Sequence, residues 1–190
     1  NPTGPTNFFI CMHIIMINIC MKEFIKSAGL LLGCIALARF IDLPANVTPF
    51  MAMAVFMPYM TSNRLLQLAL PTTLLFATDL IIGLYGPLML FVYGTMLLTG
   101  LLSRLLHKDN IQTLLGTSVL SVVLWHFIVN GAVVFFGNGF GPLTPEALVF
   151  DLRLLASTLV FSSIFYGVRS LFTQEQADVI QLSKYKNVRL

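Results

Sequence analysis

Charged residues are scarce in this 190-residue chain, at 10% of the total, against about a quarter in an ordinary soluble domain. A chain so poor in charge lacks the polar coat that holds a globular surface in water, so its apolar excess has to face lipid. No basic stripe with interleaved aromatics occurs, and the cations stand singly between apolar runs. This excludes a nucleic-acid surface and matches the spacing of membrane topology signals. Cysteine is rare and poorly placed for chemistry. Cys11, Cys20 and Cys34 lie in apolar stretches without metal-ligand spacing, so they read as apolar filling rather than a zinc site, disulfide framework or redox motif. HExxH, CxxC, Walker and GxSxG patterns are all absent, as is any paired-carboxylate constellation. No catalysis, cofactor or metal is expected. Energy for any transport would have to come from an ion gradient or another subunit.

What the chain does have is long apolar runs. Hydrophobic residues make up 57% and the mean hydropathy is +0.86, with room for five to seven helices of about 20 residues and none for a second domain. The pattern predicts an all-α membrane protein, a bundle of six transmembrane helices at 27–41, 48–60, 65–84, 88–106, 111–136 and 147–172. Pro44 breaks the first connection and Tyr85-Gly86-Pro87 forms a tight turn. Thr144-Pro145-Glu146 carries the cap, proline and early acid that open a helix. Residues 1–20 are expected to be a non-native or interfacial extension, with Met21 as the natural start. Residues 21–172 then form the membrane domain and 173–190 a polar cytoplasmic tail.

Lysine and arginine fix the expected orientation. With a cytoplasmic start, nine of the 11 cations lie inside and only Arg39 and Arg153 outside, which is a clear positive-inside bias with both termini cytoplasmic. Under that topology most remaining polar groups share one outer layer: Arg39, Asn46, Thr48, Asp79, Tyr85, Tyr93, His126, Asn130, Asp151 and Arg153. Ionisable groups inside a membrane face the bundle interior, pair, or line a wet cavity. A layer contributed by every helix points to an outward-open polar cavity with Arg39, Asn46, Asp79, Tyr93, His126 and Asn130 as candidate solute-binding residues. Plainer readings stand beside this one. Arg39 and Asp79 pair to lock the bundle, His126 is a core residue bonded to Asn130, Asp151 and Arg153 are solvated near the interface, Tyr85 is an interfacial anchor, and Trp125 is a packing or lipid-facing aromatic. On the first helix Gly29, Gly33 and Ala36 form a small-residue face, suited to close packing within the bundle or to docking a partner.

The run from Arg39 through Asp42-Leu43-Pro44-Ala45-Asn46-Val47-Thr48-Pro49 resembles an uncharacterised family of small bacterial integral membrane proteins, with Val47 in place of the usual phenylalanine. The likeness continues through Pro71, Thr78-Asp79, Gly83 and Phe91-Val92-Tyr93-Gly94. That family is similar to the substrate-binding S components of energy-coupling-factor transporters. The resemblance implies six helices in a bacterial cell membrane and a micronutrient-sized solute bound near the outer face. It also implies a docking face of small residues, here Gly29, Gly33 and Ala36, for a transmembrane coupling subunit driven by ATPases. The expected function is therefore solute binding for uptake. The rivals are a structural membrane subunit whose polar layer only stabilises packing, and a membrane enzyme acting on lipid or an isoprenoid. An outward-facing cavity lined by the polar layer is the feature that separates the first from the second.

Overall fold

The computed structural model describes Gly29, Gly33 and residues 47–136 and 144–187, with backbone alone for residues 82 and 172–187. The described residues form helices joined by short turns and contain no strand. Helix α1 is Phe50–Met60, α2 is Arg64–Ile82, α3 is Leu88–Leu106, α4 is Ile111–Phe135 and α5 is Pro145–Asn187.

Local chemistry sets the boundaries. Asn63 opens α2 by accepting hydrogen bonds from the Leu65 and Leu66 amides at 3.0 and 3.4 Å. Asn110 opens α4, accepting from Thr113 N at 2.7 Å. Thr144 caps α5 through Ala147 N at 3.4 Å, and Pro145 takes the first helical position, where its missing N–H costs nothing. Between α2 and α3 the chain reverses through Gly83 and Gly86, at φ 123° and 79°, conformations that side chains with a Cβ rarely adopt.

Helices α2 to α5 hold four segments long and apolar enough to cross a membrane: Arg64–Ile81, Leu88–Leu106, Ile111–Phe135 and Pro145–Leu171. Only 28–33% of each is buried inside the protein. The outward faces carry Leu65, Leu80, Leu90, Leu105, Phe127, Leu152 and Leu171, all more than half exposed. An apolar surface this continuous is one that lipid, not water, accommodates. The fold is thus an all-helical membrane bundle.

Helix α1 departs from the expected architecture. The sequence predicts a second span at 48–60, but the helix has 11 residues, about 16 Å, or half of a hydrocarbon core about 30 Å thick. It is apolar on every side, and Met51, Met53, Val55, Phe56 and Met57 are at most 2% exposed. Such a helix belongs at the centre of a bundle rather than against lipid. Helices α2, α3, α4 and α5 all pack on it and follow one another around it in chain order. The expected first span at 27–41 lies outside the described residues except for Gly29 and Gly33, and residues 1–20 lie outside them altogether. At the other terminus the helix does not stop at Phe172 but continues to Asn187.

Small hydroxyl side chains make the close packing around α1 possible. Thr95, Thr99 and Ser103 recur every fourth residue on α3, all at most 1% exposed. Ser103 donates to the Val55 carbonyl, and Thr99 to Met51 Sδ at 3.6 Å. Ser118 of α4 meets Ser162 of α5 at 3.2 Å. Gly100 lets α2 approach: a Cβ there would sit 2.9 Å from Leu68 Cδ2. Small residues at such interfaces exchange side-chain bulk for backbone proximity.

A half-filled bundle and its candidate solute site

The short central helix fills only one half of the bundle. Its hydrogen-bond partners on α3 are Thr99 and Ser103, in the half that ends at Leu106, and its Tyr59 packs edge-on against His107 just past that end. Beside the other half, along Leu88, Val92 and Met96, lies a cavity of about 490 Å³. Thr48, Phe50 and Met51 at the start of α1 line it, together with Leu75, Thr78 and Asp79 from α2. Tyr85 from the turn, Trp125, Val129, Asn130 and Val133 from α4, and Phe150 and Leu154 from α5 complete the described wall. Mostly apolar walls with a few polar groups, at this volume, are the usual makeup of a small-molecule site.

Two buried carboxylates stand at this end of the bundle, each 7% exposed. The first, Asp79, is in the cavity wall. Tyr93 and Tyr85 both donate to its Oδ2, at 2.8 and 3.2 Å. Burial, and next the Asp79 charge, push the Tyr85 phenol above its usual range, so it remains a donor at physiological pH. Phe76 packs edge-on against Tyr93 and helps hold its ring.

The second carboxylate, Asp151 of α5, faces a distortion in α4. Residues His126–Asn130 form a π-helical turn between the α-helical stretches Ile111–Trp125 and Gly131–Phe135. His126 and Asn130 sit one turn apart and both reach Asp151 Oδ2, through Nδ1 at 2.6 Å and Nδ2 at 2.8 Å. At 2.6 Å from a carboxylate, Nδ1 carries the hydrogen. The Asn130 amide, 3.3 Å from the same Nδ1, therefore belongs to Asp151. Asp151 Oδ1 is buried with no hydrogen-bond partner among the described residues. Turns of this kind recur at functional sites, and here the turn supplies both donors to one carboxylate oxygen.

Of the six candidate residues, Asp79 and Asn130 line the cavity, Tyr93 supports Asp79, and His126 supports Asp151 without lining the cavity. Arg39 and Asn46 lie outside the described residues, as does Ala36. Gly29 and Gly33 are helical and exposed, and a Cβ at either would meet nothing within 4 Å among the described residues. Asp151 is buried in a network rather than solvated near an interface, while Arg153 is exposed. Tyr85 bonds Asp79 in addition to being 43% exposed, and Trp125 is a wall residue. No group of His, Cys, Asp and Glu among the described residues could hold a metal ion.

The opposite end carries a second, shallower hollow of about 410 Å³, lined by Tyr59, Thr61, Gln67, Arg104 and His107. There Gln67 donates to the Thr61 carbonyl at 2.6 Å and accepts from Arg104 at 2.9 Å. Beside it the exposed Asp109 accepts from Arg169 at 2.5 and 3.2 Å, and this hydrogen bonding holds its carboxyl below the usual range.

The model of a family of unknown function (DUF6580) matches residues 20–181. The chain belongs to that family. The match takes in every described helix, with the tail of α5 beyond residue 181 left over, so both carboxylate clusters fall within the DUF6580 region. No curated protein matches the chain. No solved structure matches it either.

Proposed function

We propose that this chain binds a small solute inside the membrane and serves its uptake, in the manner of the S components of energy-coupling-factor transporters. The observation that supports the reading is the cavity itself. A purely structural subunit would be packed solid at the polar layer, whereas here α1 stops short and leaves about 490 Å³ beside Asp79 and Asn130. The cations Arg64, Arg104 and Lys108 cluster at the ends of helices away from the cavity. With positive charge on the cytoplasmic side, the cavity opens outward and both termini are cytoplasmic. The open helical face at Gly29 and Gly33 suits a transmembrane coupling subunit bearing ATPases. Catalysis has no part in this reading.

Native mass spectrometry of the full chain, gently extracted from its membrane, tests it. A retained small molecule is expected, and Val133→Trp, which fills the cavity from α4, should abolish it. The chain has one tryptophan, Trp125, and it lines the cavity, so its emission should change when a solute enters. If no molecule is retained and Trp125 responds to no added solute, the protein is a structural subunit instead.

A further inference from the structure

We infer that the solute is an organic cation, held by the Asp79 carboxylate against aromatic walls. This rests on the solute-binding reading and names the chemistry of the solute. Asp79 is the charged residue of the described cavity wall: neither lysine, arginine nor histidine lines it. Two phenols donate to Asp79 Oδ2, which serves both as an acceptor. A buried carboxylate inside a membrane is compensated by a counter-charge or a proton, since hydrogen bonds alone leave the net charge in place, and a cationic solute supplies the first.

The rest of the wall suits the same ligand. Phe50, Tyr85, Trp125 and Phe150 line the cavity, and aromatic faces attract cations, most strongly when both are out of water. Asn130 commits its amide nitrogen to Asp151, which leaves its side-chain carbonyl as an acceptor in the same wall. A carboxylate, an amide carbonyl and π faces together recognise a protonated amine, a quaternary ammonium or a cationic heterocycle. An anionic solute would meet the Asp79 charge with no compensating cation among the described wall residues.

The test uses the full chain in detergent, with Trp125 emission as readout and two probes of similar size and opposite charge, benzyltrimethylammonium and benzylsulfonate. The ammonium should shift Trp125 emission saturably and at least about tenfold more tightly than the sulfonate. Asp79→Asn should remove that preference. Because Asp79→Asn could also disturb folding, the comparison of the two probes on the unaltered chain is decisive by itself. Equal or tighter binding of the sulfonate overturns the cation assignment and leaves solute binding standing. Ammonium binding that appears only after Arg39→Gln also overturns it, because Arg39 then supplies the counter-charge. If neither probe binds, the retained molecule decides: a cation supports the assignment and a neutral or anionic molecule overturns it. With no retained molecule, both it and the solute-binding reading fall.

Discussion

Asp79 and Asp151 are the same residue type, equally buried, at the same end of one bundle, yet they have different surroundings. Asp79 takes two phenolic hydrogens and faces open space. Asp151 is enclosed between α4 and α5, with an imidazole and an amide on one oxygen and no partner on the other among the described residues. Depth in the membrane therefore does not decide what a carboxylate does; the packing of the neighbouring helices does. Where α4 and α5 close on each other the acid becomes a clasp. Where α1 falls short of α2 and α3 it becomes part of a cavity wall.

This contrast predicts a graded set of effects on stability. Asp151→Ala should be the most damaging, at about 3 kcal/mol in detergent unfolding, because it strands the half-buried His126 and Asn130 side chains. Combining it with His126→Ala should add little, as expected of one network. Additive losses would mean that the clasp is not a unit. Asp79→Asn should cost only about 1 kcal/mol, since the amide still accepts from a tyrosine and the cavity relieves its burial. A loss matching that of Asp151→Ala would erase the distinction between the two acids. Tyr93→Phe should cost about 1 kcal/mol as well, and less if the Tyr85 hydroxyl compensates.

Asp109, a third carboxylate, extends the comparison to the surface. Its pairing with Arg169 is exposed, so Asp109→Asn should cost about 0.5 kcal/mol, less at high salt. Its carboxyl titrates below the ordinary value because of Arg169. The contribution is therefore present above about pH 4 and lost as pH falls through the lowered folded value. Unfolding of the parent and Asp109→Asn should converge in acid, and a constant gap between them would contradict the assignment.

Much of the frame is readable from residues alone. The cap at Thr144 sits where α5 begins, and the Gly-Pro turn at 86–87 separates α2 from α3. The length of α1 is not readable in the same way. Hydropathy scores lipid and protein interior alike, so 13 apolar residues look like a span whether or not other helices surround them. The hydroxyl stripe Thr95, Thr99, Ser103 is the available signal that α3 faces a close neighbour. The pairing of Asp151 with His126 needs the α4–α5 contact, which no local pattern encodes. Nor does composition distinguish a π-turn from the α-helix on either side. Asp79 and Asn130 stand out in the sequence because charge and amide inside apolar helices need a reason to be there. Asp151 stands out less, because its position near a helix start offers water as an easier explanation.

The shortness of α1 also has an electrical consequence. In a resting membrane the voltage falls across whatever layer excludes ions. On the proposed reading, in which the cavity opens to the aqueous phase, that layer shrinks from about 30 Å of hydrocarbon to the α1 half of the bundle, about 16 Å. The same potential then drops over roughly half the distance, so the local field nearly doubles there. The proposed charged solute, resting above α1, would have crossed little of the potential on entering. Nearly all of the roughly 2.3 kcal/mol per charge at 100 mV remains for the step past Met53, Phe56 and Met57.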